Sequence, residues 1–240
     1  MKTLGILGGM SPESTVSYYL NINRAVNQAL GGNASAKILM SSVDFAEIVN
    51  CQKSGDWQKA GEILAQQAKL LEQAGAEGIL LATNTMHKVA SPIVEAISVP
   101  FLHILDAVAD SIKAKGLTTV ALLGTAFTMS DNFYVDGLRQ RGITPLVPDE
   151  QTQQEIHRII FEELCLGQFL PQSKAFYLKT IEKLTALGAQ GVILGCTEIG
   201  LLINQSDSAL PFFDTAELHS EMAVGFVLGR KANLTIWGKY

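Results

Sequence analysis

The stretch "GAEGILLATNT", residues 75–85, decides the fold, because it returns later in the chain as "GAQGVILGCTE", residues 188–198. Two other pairs of segments resemble each other in the same order: "LGILGGMS" (4–11) with "VALLGTAF" (120–127), and "VPFLHILDA" (99–107) with "LPFFDTAEL" (210–218). The separation along the chain changes by only a few residues from pair to pair. An internal duplication is the simplest explanation of this pattern.

Each copy has a short apolar strand that ends in glycine or small residues, then a helical pattern, then another strand. This order is typical of a parallel sheet covered by helices. In the first copy Ser11 is a helix cap, Pro12 takes the first helical position, and Gly31 ends the helix. The sequence therefore predicts an α/β fold of two similar Rossmann-like lobes, related by a pseudo-two-fold axis, with the active site in the cleft between them.

The last helical segment, "TAELHSEMAVGFVLGRK", is expected to cross back and cover the first lobe. That connection makes the first lobe discontinuous, formed by residues 1–114 plus 212–240, and leaves 115–211 for the second lobe. The final "ANLTIWGKY", residues 232–240, has no clear pattern and is expected to be a loose tail.

Composition narrows the class of protein. The chain has 240 residues, 48% of them hydrophobic and 17% charged, as in a globular enzyme. A formal charge of −5 with scattered basic residues excludes a nucleic-acid partner, and no apolar run approaches the ~20 residues that cross a membrane. The start lacks a signal-peptide pattern, and three cysteines without metal-ligand spacing favour reduced thiols. We therefore expect a cytoplasmic protein without a metal site.

Thr83 and Cys196 end the equivalent apolar strands of the duplicated segments. In open α/β sheets ligands bind beyond the carboxyl ends of the strands. If the lobes face each other, the two residues approach one cleft from opposite sides. Inversion at a stereocentre needs such an arrangement, with one acid and one base on opposite faces of a carbon.

Several segments resemble the aspartate/glutamate racemase superfamily over nearly the whole chain: "GILGGMSPEST", "SSVDFAEI", "ATNTMH", "EELCLG" and "GCTEI". The resemblance implies an amino-acid racemase that uses two bases without a cofactor or metal and acts on aspartate or glutamate. It also implies a homodimer, since the family often forms dimers. Glu198 resembles the aspartate racemase branch, because glutamate racemases usually carry histidine there. Family members usually have cysteine at both catalytic positions. Some members with threonine at the first are known as L-specific acidic amino-acid racemases.

The resemblance also implies the catalytic roles. In the family the second cysteine serves the L-enantiomer, so we expect Cys196 to deprotonate the L-substrate and Thr83 to protonate the other face. N–H donors and helix N-termini are expected to tune the Cys196 thiol into a thiolate. A hydroxyl is a poor base, so Thr83 is expected to pass a proton directly, through water or through His87, and the L-to-D direction is favoured.

Substrate binding is expected from residues near the two catalytic positions. Asn84, Thr85 and Thr197 follow those positions directly and would bind the substrate carboxylate, where charge develops. The turn "GGMSP" opens a helix and is an anion site by position, with Met10 lining it. Gln52 lies where relatives place a contact to the substrate side chain.

Cys165 in "EELCLG" stands where many relatives have a lysine that is thought to meet the distal carboxylate. Its presence leaves open whether the substrate is acidic or drawn from a broad range of amino acids. Two other functions stay open: a one-cysteine decarboxylase or isomerase of small carboxylates, and a non-enzymatic sensor of a small carboxylate. His103, His157 and His219 carry no motif and are expected to be ordinary.

Overall fold

The computed structural model describes residues 1–230, so the expected tail at 232–240 lies outside the described residues. The chain forms two compact units: one is Met1–Asp106 with the chain from His219 onward, and the other is Ala107–Leu218. The lobe boundaries expected from the sequence, 1–114 plus 212–240 and 115–211, stay a prediction, since a compact unit of contacts is not yet a domain that folds alone.

The first unit contains a four-stranded sheet in which all strands are parallel, in the order β2-β1-β3-β4. Its strands are β1 (Thr3–Gly8), β2 (Lys37–Ser42), β3 (Gly78–Leu81) and β4 (Phe101–Leu102). The helices that begin in this part of the chain are α1 (Pro12–Leu30), α2 (Phe45–Ser54), α3 (Trp57–Gln73), a 3-10 helix (Thr85–Val89), α4 (Ala90–Ala96) and α5 (Ile104–Ala114). Helix α5 begins in the first unit and continues into the second.

Local signals explain the first helix. The Ser11 side chain accepts a hydrogen bond from the Ser14 N–H at 3.3 Å, and Pro12 takes the first helical position. Gly31 ends the helix with φ of 77°, a conformation that favours glycine. The cap, the proline and the stop that the sequence predicts for α1 are therefore confirmed.

The second unit repeats the strand order, as β6-β5-β7-β8, again with all strands parallel. Its strands are β5 (Thr119–Gly124), β6 (Thr144–Leu146), β7 (Val192–Gly195) and β8 (Phe212–Asp214). Its helices are α6 (Ala126–Ser130), α7 (Asn132–Gln140), α8 (Glu150–Glu162), a 3-10 helix (Leu164–Leu166), α9 (Pro171–Ala186), α10 (Ile199–Leu202), a 3-10 helix (Gln205–Asp207) and α11 (Thr215–Val227), which ends in the first unit.

The duplication is visible in matching backbone details. Gly75 and Gly188, which precede β3 and β7, have φ of 104° and 102°. The carbonyl of Pro100 accepts a hydrogen bond from β3 at 2.9 Å, and that of Pro211 accepts one from β7 at 3.0 Å. The chain is therefore an α/β protein with two similar lobes, as the repeated segments predict.

The end of α11 packs on the first sheet. The carbonyl of Val227 accepts a hydrogen bond from the Lys2 N–H at 2.9 Å, and the Phe226 ring lies where a side chain at Gly78 would project. A glycine at this point of β3 lets the aromatic ring approach the backbone closely. Within residues 1–230, no helix combines the length and apolar character needed to cross a bilayer.

Candidate functional site

Thr83 lies beyond the carboxyl end of β3 and is 7% exposed. Its N–H donates to the Leu81 carbonyl at 2.9 Å, so the chain turns sharply where the strand stops. Asn84 and Thr85, also buried, follow it into the 3-10 helix. The predicted catalytic threonine and two predicted carboxylate ligands therefore share one strand end.

The His87 side chain connects this strand end to the backbone that follows β4. The Ile104 N–H donates to His87 Nε2 at 3.2 Å, which leaves the ring proton on Nδ1. Nδ1–H then donates to the Thr83 carbonyl at 2.7 Å. Burial, followed by the neighbouring His219, lowers the pKa of His87 to about 3, so the ring is neutral near pH 7. Both ring nitrogens are bonded to backbone, which contradicts the expectation that His87 relays a proton to Thr83.

His219 joins the same buried cluster from α11. Its Nε2 lies 2.8 Å from the Leu102 carbonyl and its Nδ1 lies 3.1 Å from the Tyr18 hydroxyl. Burial lowers the pKa of His219 to about 4. The His87 ring lies 5.8 Å from His219 and 4.6 Å from His103. His103 and His219, expected to be ordinary, thus pack against His87, the ring that bonds the backbone at Thr83.

Met10 and Gln52 lie in the first unit near the same edge of the sheet. Met10 belongs to the same apolar cluster as Met86, the residue after Thr85. Gln52 is buried, and its amide donates to the Met86 sulfur at 3.1 Å. The structure thus places Gln52 against Met86, and Met10 in the apolar cluster that contains Met86, while their role toward a substrate stays a prediction.

Cys196 follows β7 and is 8% exposed. Its thiol donates to the Glu198 carboxylate, with Sγ 2.9 Å from Oε2. The Thr197 hydroxyl donates to the same oxygen at 2.7 Å. The only sequence sign of this arrangement was the spacing of two between the cysteine and the glutamate. Glu198 therefore has a place in the site that the sequence interpretation missed.

The Cys196 thiol is not tuned toward the thiolate. Burial, followed by the negative charge of Glu198 and the nearby Cys165, raises its pKa well above the ordinary value. The helix that follows, α10, has only four residues. The backbone N–H of Glu198 lowers the pKa of the thiol, as expected of an N–H donor, but burial and the neighbouring negative charges outweigh it in this state. The carboxylate beside the sulfur offers another route, because it can accept the thiol proton.

Cys165 lies in the 3-10 helix after α8 and packs against the same apolar cluster as Cys196. Glu163, two residues earlier, is buried and bonds both Ser173, at 2.5 Å, and Arg158, at 2.9 Å. The buried Tyr177 belongs to the same apolar cluster as Cys196. Glu163 stands in the "EELCLG" segment, but that resemblance gave it no role, and Tyr177 stands in none of the quoted segments, because its place in the cluster depends on how α9 packs.

Each group of predicted residues therefore lies at the carboxyl end of its own sheet. Met10, Thr83, Asn84 and Thr85 share the first edge, and Cys196 and Thr197 share the second.

Comparisons with known proteins agree with this geometry. A family model described as Asp/Glu/Hydantoin racemase matches residues 7–223. The crystal structure of a candidate Asp/Glu racemase from Yersinia pestis is 48% identical, covers 95% of this chain and all (100%) of that one, and superposes with a TM-score of 0.89. That of an aspartate racemase homologue from Pyrococcus horikoshii OT3 is 38% identical, with 95% and 100% covered and a TM-score of 0.84.

A curated relative with a described activity is more distant. The broad specificity amino-acid racemase RacX of Bacillus subtilis (strain 168) is 23% identical over 233 residues, which cover 94% of this chain and 98% of the relative. The similarity therefore extends over both units and includes the ends of β3 and β7.

Proposed function

Because the chain belongs to the Asp/Glu/Hydantoin racemase family and is thus an enzyme of the racemase type, we propose that it inverts the α-carbon of aspartate or glutamate without a cofactor or metal. The observation that carries this proposal is the unequal pair at equivalent strand ends: Thr83 after β3, and Cys196 with its partner Glu198 after β7. One position offers a hydroxyl donor and the other a thiol beside a proton acceptor. That asymmetry supports a two-base reaction with the L-to-D direction favoured.

The reaction begins at Cys196. The thiol proton moves from Sγ to Oε2 of Glu198, across the 2.9 Å that separates them, and leaves a thiolate. The thiolate takes the α-proton of the L-substrate, and the electron pair of the broken C–H bond delocalises into the substrate carboxylate. The Thr83 hydroxyl returns a proton to the opposite face. The proposal therefore requires Thr83 and Cys196 to reach opposite faces of one α-carbon.

Substrate binding in this proposal uses the polar groups beside the two catalytic positions. Asn84, Thr85 and Thr197 bind the α-carboxylate, which gains charge when the α-proton leaves. Met10 lines the wall of the site, and Gln52 contacts the substrate side chain. Asn84 is the N-cap of the 3-10 helix and Thr85 is its first residue, so regular backbone structure fixes both positions, which supports a carboxylate site there.

A broad substrate range is the second candidate. Cys165 replaces the lysine that many relatives use for a distal carboxylate, and the carboxylate of Glu198 lies 2.9 Å from the Cys196 thiol. The likeness to RacX, described as a broad specificity racemase, supports the same candidate. Neutral amino acids therefore belong in the first substrate panel beside aspartate and glutamate.

The test is incubation of the pure protein with each L- and D-amino acid in deuterated water. Chiral chromatography measures inversion, and mass spectrometry measures replacement of the α-proton by deuterium. The proposal expects both for aspartate or glutamate, and the broad candidate expects both for neutral amino acids as well. Absence of exchange with every amino acid would contradict both candidates.

Two further expectations belong to this proposal. The mechanism needs a reduced Cys196, and the three cysteines of the chain are free, which supports the cytoplasm as its location. A homodimer stays a proposal that sedimentation of the pure protein tests.

A further inference from the structure

Tyr177 on α9 is 0% exposed, and within residues 1–230 its hydroxyl is a buried side-chain atom without a hydrogen-bond partner. A buried hydroxyl left unbonded costs about 1–3 kcal/mol. Native structures avoid this cost at nearly all buried polar atoms. The Tyr177 hydroxyl therefore needs an acceptor that this state of the protein lacks.

The surroundings of the hydroxyl indicate which acceptor that is. Tyr177 belongs to the same apolar cluster as Cys196, and Cys165 packs against that cluster. Burial, followed by the charges of Cys196, Glu163, Glu198 and Cys165, raises the pKa of Tyr177 well above its ordinary value. The phenol therefore keeps its proton and can only be a donor toward negative groups.

The neighbouring acceptors are already engaged. Glu163 accepts from Ser173 through one oxygen and from Arg158 through the other. Oε2 of Glu198 accepts from the Cys196 thiol. Two sulfurs remain, those of Cys196 and Cys165, and Cys196 exerts the larger charge effect on Tyr177. As a thiol, Cys196 is a donor and only a weak acceptor. Once it loses its proton, the sulfur becomes a strong, negatively charged acceptor.

We propose that Tyr177 stabilises the Cys196 thiolate by donating its phenolic O–H to Sγ after the thiol proton has moved to Glu198. In that step the S–H bond breaks, an O–H bond forms on Glu198, and Tyr177 keeps its own proton. The hydrogen bond exists only in the activated state, so it lowers the cost of forming the base without stabilising the resting thiol. This inference rests on the role proposed for Cys196 in racemisation.

The test measures ionisation of the thiol itself and does not depend on turnover. The rate at which iodoacetamide alkylates Cys196 is followed against pH by mass spectrometry of its peptide, in the unaltered protein and in Tyr177→Phe. Loss of a charge-assisted hydrogen bond should raise the midpoint by about one pH unit, which is a tenfold loss of thiolate at a fixed lower pH. An unchanged or lowered midpoint would overturn the proposal.

Tyr134→Phe is the matched control, because Tyr134 on α7 is another fully buried tyrosine of the same unit. Its midpoint should equal that of the unaltered protein, and an equal rise in both variants would overturn a specific role for Tyr177. Tyr177→Phe should unfold at the same or a higher temperature, since it removes an unbonded hydroxyl. Lower stability with an unchanged midpoint would assign the hydroxyl a structural role and also overturn the proposal.

The same variants separate this inference from the proposed function. If the unaltered protein exchanges no α-proton but Tyr177→Phe raises the midpoint, racemisation fails and the thiolate role stands. If the protein racemises and Tyr177→Phe leaves both the midpoint and kcat unchanged, the racemase stands and the Tyr177 role fails. With both correct, kcat falls about tenfold while KM is unchanged, because the bond forms only with the thiolate.

Discussion

The ends of β3 and β7 occupy equivalent places in two sheets of the same strand order, but their surroundings differ. Behind Thr83 the chain places His87, a neutral ring that holds the backbone through both nitrogens. Beside Cys196 it places Glu198, a carboxylate bonded to the sulfur. His87 thus holds the backbone at Thr83 in place, whereas Glu198 can accept a proton from Cys196. After duplication the backbone frame was kept, and the chemistry diverged through the side chains packed against it.

Among the changes that test this difference between the two strand ends, replacement of Cys196 should have the largest effect on α-proton exchange. Cys196→Ala removes the base, so α-proton exchange of the L-substrate should fall by at least about 10³-fold, the upper part of the range for acid-base catalysis. Deuterium incorporation measures this loss. Cys51→Ala is the matched control, since it removes another buried cysteine that lies in the first unit, and it should keep exchange near the original rate. Exchange that survives in Cys196→Ala would place the base elsewhere.

The next largest effect is expected from acid, which should lower the free energy of unfolding through the buried histidines of the first unit. His87 and His219 have folded pKa values of about 3 and about 4, below the ~6.5 of an unfolded histidine. Their neutral burial therefore contributes stability that is fully present above pH ~6.5 and is lost as pH falls toward 3–4. The loss should be on the order of 3 kcal/mol for each histidine by pH 4. Urea unfolding between pH 7.5 and 4 measures this loss as a falling free energy of unfolding.

His219→Gln is the variant that checks the cause. A glutamine amide can still donate to the Leu102 carbonyl, the partner of His219 Nε2, but it takes up no proton in this pH range. The free energy of unfolding should therefore fall less steeply with acid in the variant. Parallel curves for the two proteins would assign the acid sensitivity to other groups.

The backbone fold of the two lobes was predictable from the sequence because the signals that specify it are local. Strand ends, the Ser11 cap and the glycines before β3 and β7 depend on residues close along the chain, and the duplication repeats them. Periodicity and turn chemistry carry such information directly. The α/β fold with two similar lobes follows from these signals, and so does the place of Thr83 and Cys196 at equivalent strand ends.

The surroundings of the two residues could not be predicted, because they depend on packing between distant segments. His219 on α11 bonds the Leu102 carbonyl of β4 and lies beside His87, and Tyr177 on α9 belongs to the same apolar cluster as Cys196. Neither residue stands in a motif. The raised pKa of Cys196 is mainly an effect of burial, which strand ends alone do not specify. Sequence patterns thus located the two equivalent strand ends and left the proton chemistry at them open.

Thr83→Ala should separate inversion from exchange. Without the hydroxyl, inversion of the L-substrate should fall about 10²-fold, while Cys196 still removes the α-proton and returns deuterium to the same face. Thr83→Ser keeps a hydroxyl and should retain inversion. Because the equilibrium constant of racemisation is one, kcat/KM is the same in both directions, so the favoured L-to-D direction can appear only as a higher kcat. The asymmetry of the pair then appears in this ratio of exchange to inversion. Equal losses of both in Thr83→Ala would contradict a donor role.

Glu198→Gln should have the smallest effect and tests the other half of the comparison. The amide oxygen can still accept from Cys196 and Thr197, so the geometry at the strand end is kept, but it cannot take the thiol proton. Burial, the leading cause, still raises the pKa of the thiol, while the lost charge of Glu198 lowers it in part. These opposed effects should leave a loss of about tenfold at pH 7 that shrinks as pH rises, because bulk base then removes the proton instead. The pH profile of kcat measures this, with Glu217→Gln as a control at an exposed carboxylate of the same unit. A loss that is the same at every pH would mean that Glu198 positions the thiol without accepting its proton, and the two strand ends would then differ in geometry alone.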